Sequence, residues 1–149
     1  MFRRLSLLLL AAMLVVSSFA VSGCAAQGHD NVAVTLASMD QMPAHVQNAS
    51  HRVAQAYRFA TAHPDLLQHM PCYCGCGPMG HDSNYNCFWQ TEELFDSHAL
   101  GCGICVDIAQ DVMAGLQQGR SPTEIRAQVD KDYVRFGDPT NTPLPVAQR

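Results

Sequence analysis

The chain has 149 residues, a formal charge of −4, 48% hydrophobic residues and seven cysteines. That length suits one domain with one modest core rather than two. An acidic chain whose only lysine is Lys131 has no basic stripe for nucleic acid, so a nucleic-acid partner is excluded as a reading.

Residues 1–23 read as a lipoprotein signal peptide. Arg3 and Arg4 form a positive start, and Leu5 to Ala20 is an apolar run too short to span a bilayer. Val21-Ser22-Gly23-Cys24 then resembles the bacterial lipobox, in which the cysteine is acylated and becomes the new N-terminus. Cys24 is therefore the expected lipidation site. The expected location is the cell membrane, anchored by that lipid and facing outside or the periplasm. Loss of the leader removes Arg3 and Arg4 and moves the charge from −4 to −6.

Residues 24–42 read as a flexible tether of small and polar residues without a sustained period. A first helix is expected from Pro43 to Ala62, with Val46, Ala49, Val53, Ala56, Tyr57 and Ala60 at helical spacing. His63-Pro64 should end it, and Asp65 to Gln68 adds a turn. Gly77 to Asn86 reads as loop. Two readings of 87–95 stand open: a short β-hairpin, favoured by the aromatic residues, or a short helix after Thr91. A second helix should start near Cys102 or Ile104 and end before Gly119, burying Cys105, Ile108, Ala109, Val112 and Leu116. A third starts at Ser121, with Pro122 in the first position and Glu124 closing a capping box. Ile125, Val129 and Tyr133 make its inner face. The tail with Pro143 and Pro145 is expected to be extended and loosely packed. The fold class is thus mainly α: a small domain of about three helices over 43–149, carrying an irregular cysteine-rich loop.

That loop holds the chemistry. Cys72-Tyr73-Cys74-Gly75-Cys76 alternates three cysteines. In an extended segment alternate side chains point the same way, roughly 6.5–7 Å apart, and a turn at Gly75 or Gly77 draws them closer. Sulfurs so placed can meet one ion at about 2.3 Å. Thiolate and imidazole select Cu(I) or Zn(II) over Mg or Ca. Cys102-Gly103-Ile104-Cys105 supplies a second half-site where a helix begins, a position that favours thiolate. The metal-ligand candidates are Cys72, Cys74, Cys76, Cys87, Cys102, Cys105 and His98. His81 and Met79 follow the loop closely and are weaker candidates. His29, His45, His51, His63 and His69 read as surface residues, Met39 and Met42 as chance, and Asp107 and Asp111 as a solvated helix face. Outside the cytosol the six cysteines beyond Cys24 also admit a disulfide framework. The C-x-x-C also admits thiol–disulfide exchange, although no strand-helix-strand pattern surrounds it. No G-x-S-x-G, H-E-x-x-H or phosphate loop is present.

Pro71-Cys72-Tyr73-Cys74-Gly75-Cys76 resembles the PCYCGC-motif (lipo)proteins, a bacterial family. The resemblance extends through Gly80-His81, Cys87-Phe88, His98, the C-x-x-C and the stretch from Gly119 to Pro145. It implies an exported, lipid-anchored protein and no particular substrate. The run from Gly119 through Ser121 and Glu124-Ile125 to Phe136-Gly137 is also similar to the helical hairpin of CcmH-type cytochrome c maturation proteins, which implies thiol exchange. The expectation is a lipid-anchored extracytoplasmic protein that sequesters or transfers Cu(I) or Zn(II). Its partners would be the membrane, through the lipid, and a metal donor or acceptor protein. The alternatives are a thiol–disulfide oxidoreductase and a disulfide-stapled interaction module.

Overall fold

The computed structural model describes residues 32–146. The expected leader and the lipidation site Cys24 lie outside the described residues. Eight regular elements follow in chain order: α1 (Ala44–Gln47), α2 (His51–Ala62), α3 (Pro64–Leu67), β1 (Trp89–Thr91), β2 (Leu94–Phe95), α4 (His98–Gly101), α5 (Gly103–Gln117) and α6 (Pro122–Tyr133). Short 3-10 turns lie at Met39–Gln41, Gly77–Met79, Asn84–Cys87 and Val134–Phe136.

α5 is the central element. It buries Cys105, Val106, Ile108, Ala109, Val112, Met113, Gly115 and Leu116, more than one stripe can hold. It needs cover on two sides, and α2 and α6 supply it. α2 contributes Ala54, Ala56, Tyr57, Phe59 and Ala60, and α6 contributes Ile125, Val129 and Tyr133. The α5–α6 approach depends on Gly115, where an added Cβ would stand 2.6 Å from Ile125 Cγ1.

The hairpin between these helices starts as sequence analysis expects. α5 ends in a Schellman arrangement: the Gly119 N–H donates to the Leu116 carbonyl (2.9 Å) and the Arg120 N–H to the Gly115 carbonyl (3.0 Å), with Gly119 at φ +73°. Ser121 then caps α6, and Glu124 closes the capping box.

The open choice over 87–95 resolves as an antiparallel β-hairpin, with Trp89 opposite Phe95 and Thr91 opposite Leu94. The Trp89 and Phe95 rings stack at 3.8 Å across the strands. Tyr57 joins the hairpin to α2, meeting Phe88 edge-on at 5.0 Å and donating its hydroxyl to the Asp96 carbonyl at 2.7 Å.

Three expectations need correction. The first helix is broken: Asn48 caps α1, its side-chain amide donating to the Ala44 carbonyl at 2.8 Å, and Ser50 is extended before α2. Short polar side chains that bond the local backbone favour such breaks. The stretch from Val32 to Met42, the second half of the expected tether, packs on the helices, and Met42 is buried. The Ala37 N–H donates to the Arg58 carbonyl at 3.1 Å, and Arg58 Nε to the Ala37 carbonyl at 2.6 Å. The tail is extended as expected, with Leu144 and Val146 exposed, but its first half is held. Thr140 is buried against the cysteine loop, and Arg126 of α6 donates to the carbonyls of His69 (2.8 Å) and Pro143 (3.1 Å). Among the described residues no helix is long and apolar enough to cross a membrane.

Candidate metal centre

Met70 to Cys76 has no regular structure of its own, so its backbone groups must find partners elsewhere. The tail supplies two. Cys72 N–H donates to Thr140 Oγ1 (2.9 Å) and Thr140 N–H donates to the Cys72 carbonyl (3.0 Å). Asn84 supplies a third link. Its N–H donates to the Met70 carbonyl (2.7 Å) and its side-chain amide to the Cys105 carbonyl (3.1 Å). One wholly buried asparagine thereby stitches the cysteine loop to the start of α5. Gly75 turns the loop at φ +77°, a conformation open to glycine without a Cβ penalty. Tyr73, between two cysteines, points away and donates to Asp130 Oδ1 at 2.7 Å.

These restraints bring six sulfurs into contact. Cys72 Sγ lies 3.1 Å from Cys74 Sγ, 3.3 Å from Cys105 Sγ and 3.6 Å from Cys87 Sγ. Cys105 Sγ lies 2.7 Å from Cys87, 3.4 Å from Cys102 and 3.7 Å from Cys74. Cys76 stands with Cys72, Cys74 and Cys87 in a set of four sulfurs all within 4.8 Å of one another. His98, at the start of α4, puts Nε2 3.5 Å from Cys74 Sγ. Every residue named as a candidate ligand from sequence thus meets the cluster. His81, the weaker candidate, is also buried there, with Nδ1 3.7 Å from Cys87 Sγ. Met79 is 59% exposed.

Cys72, Cys76, Cys87 and Cys105 are buried, whereas Cys74 and Cys102 form a half-buried rim, and all six are free thiols. Protons are shared unevenly among them. Hydrogen bonds from Cys105 and Cys87 hold the Cys72 thiol down at about 4, against the opposing pull of burial. The same two donors hold Cys74 well below the ordinary thiol range. Cys87 and Cys105 are pushed up, Cys87 chiefly by its bond with Cys105, and Cys105 chiefly by its bond with Cys102. Cys102, the residue before the first turn of α5, is held at about 7, chiefly by the Cys105 hydrogen bond. Burial alone would lower His98, but contacts with the Cys74 and Cys102 sulfurs outweigh it and raise it. The pocket therefore favours thiolates beside thiols that hydrogen-bond to them, the state from which a soft cation displaces protons.

Asn84, Thr140, Arg126 and Asp96 belong to the site's support and were not anticipated. Asn84 and Thr140 carry no periodic signal in sequence, since each acts through one long-range contact. Asp96 is the most telling. Its Oδ1 accepts the His98 N–H at 2.6 Å, and its Oδ2 stands 3.9 Å from His81 Nε2.

Fold and site together define a small helical protein with a clustered Cys/His group that can hold a metal ion. The chain belongs to the family described as proteins of unknown function with a PCYCGC motif, whose model matches residues 13–145. No curated protein and no solved structure matches it.

Proposed function

We propose that this protein binds a thiophilic metal ion at its cysteine cluster, Cu(I) first and Zn(II) second, and either sequesters the ion or hands it on. The observation that carries the reading is the number of partners each sulfur has. Cys72, Cys74, Cys87 and Cys105 each touch at least two other sulfurs. A disulfide framework needs sulfurs in pairs, whereas a coordination sphere needs them convergent. Cu(I) is satisfied by two or three thiolates, and Zn(II) by four sulfur or nitrogen donors. The N-terminus of α5 adds partial positive charge beside the thiolates. Cys74 and Cys102, half-exposed at the rim, suit exchange of the ion with a donor or acceptor protein.

On this reading the protein works outside the cytosol, held to the membrane through a lipid on Cys24. The support is the leader and the Val21-Ser22-Gly23-Cys24 lipobox. Labelled fatty acid should enter the wild-type chain and not Cys24→Ser. The metal reading is tested by elemental analysis of protein purified without oxygen. Copper or zinc should be retained near stoichiometry. A chain that stays empty after loading with all thiols free contradicts it.

A second reading rests on its own observation. Cys102 is half-exposed, held at about 7, and 3.4 Å from Cys105, the arrangement of a thiol-exchange pair. It predicts turnover on a cysteine substrate that Cys102→Ser abolishes. Equal rates for both proteins would remove it.

A further inference from the structure

We propose that the cluster is a two-ion centre in which Cys87 is the shared thiolate and His81 and His98 are the nitrogen ligands of the second ion. This rests on the metal-binding reading above and deepens it. Three sets of four donors lie within 4.8 Å of one another: Cys72, Cys74, Cys76 and Cys87; Cys74, Cys87, His98 and Cys105; and Cys76, His81, Cys87 and His98. Cys87 is in all three. One tetrahedral ion takes four donors, so these seven are more than one ion can use.

One division of these donors uses all seven, with Cys87 counted in both halves. With metal–sulfur bonds of about 2.3 Å, the edge of a tetrahedron is about 3.8 Å. Among Cys72, Cys74, Cys87 and Cys105 the separations of 3.1, 3.3, 3.6 and 3.7 Å approach such edges, and Cys87 and Cys105 stand closer, at 2.7 Å. They form an all-sulfur site drawn from both cysteine segments. Cys76, His81, Cys87 and His98 form a mixed sulfur and nitrogen site beside it. The two tetrahedra share one corner, Cys87, which is wholly buried between them.

The surroundings of His81 give independent support. The ring is 8% exposed, with Nδ1 towards Cys87 Sγ at 3.7 Å and Nε2 towards the Asp96 carboxylate at 3.9 Å. An imidazole set between a ligand cluster and a carboxylate is how metal-bound histidines are oriented. The other oxygen of Asp96 accepts the His98 backbone N–H at 2.6 Å, so one carboxylate lies against both histidines. The two rings lie edge to face at 5.0 Å, on the same side of the cluster.

Zn(II) is the probe because its four-donor requirement counts sites. Native mass spectrometry of the full chain, reduced and loaded without oxygen, should give two Zn(II) per chain. The double variant His81→Gln/His98→Gln should give one, with unchanged far-ultraviolet circular dichroism. Independently, wild-type protein loaded with ¹¹³Cd(II) should show two resonances, one shifted as an all-sulfur site and one as a mixed site. Saturation of the wild type at one Zn(II), or a single cadmium resonance, overturns the two-ion centre and leaves the metal-binding reading standing. Two Zn(II) retained by the double variant overturns the histidine assignment. Binding of neither Zn(II) nor Cu(I) overturns both readings.

Discussion

The two cysteine-bearing segments reach the same pocket by different physics. Cys102 and Cys105 sit at the start of a 15-residue helix, and their position follows from packing of α5 between α2 and α6. Cys72, Cys74 and Cys76 sit on irregular backbone, and their position follows from a few hydrogen bonds to residues distant in sequence: Thr140, Asn84 and, one step back, Arg126. Packing is shared among many contacts, so no single one decides it. A loop pinned by a handful of bonds loses its geometry when one is removed. The helix side should therefore respond to mutation through stability, and the loop side through metal affinity.

The largest effect should come where the two sides meet. Cys87→Ser removes the sulfur that touches both Cys72 and Cys105. Metal affinity should fall at least about 100-fold, beyond the 10- to 100-fold typical of losing a residue that only supports a ligand. Competition with a chelator of known affinity measures it.

Next comes the helix side. Gly115→Val forces side-chain atoms into Ile125 where an added Cβ alone stands 2.6 Å from Cγ1. Overpacking of this kind costs about 1–3 kcal/mol. The melting temperature should fall while metal stoichiometry at room temperature is unchanged. A variant that melts normally but loses metal would break the comparison.

The loop side should show the reverse. Thr140→Val leaves the Cys72 N–H without its acceptor in a buried setting. Stability should fall by about 1 kcal/mol and metal affinity by roughly tenfold, with helicity intact.

The smallest effect lies in the packed stretch before α1. His63 Nε2 is within 3.1 Å of Thr35 N, Oγ1 and O, and burial lowers the ring below its ordinary 6.5. A histidine with a lowered folded value favours the neutral form in the native state. Its stabilisation is present above 6.5 and lost as pH falls through the folded value. His63→Gln should flatten the pH dependence of stability below pH 6.5, measured as the urea midpoint at each pH.

What sequence made legible follows the same division. α5 and α6 were readable because their signals are local: a 3.6-residue period, the Ser121–Glu124 box and the Gly119 stop. The convergence of the cysteine segments was readable from their chemistry, since two dense groups of thiols with a histidine between them suggest a common ion. The supports were not. Thr140 belongs to a proline-bearing tail with no pattern, and Asn84 to a polar run that reads as exposed, yet both are buried. Each is fixed by one partner many residues away, which no window along the chain contains. The break at Asn48 to Ser50 was hidden because apolar spacing runs on through it, while short polar side chains capture the backbone.

The central claim is that both segments contribute to one metal site. Alkylation of the metal-loaded chain under anaerobic conditions, read residue by residue by mass spectrometry, tests it most directly. The account predicts that Cys72, Cys74 and Cys105 become protected together, at the same metal-to-protein ratio, and are released together by a chelator. Protection confined to the loop cysteines, with Cys105 modified at the rate of the metal-free protein, would contradict it.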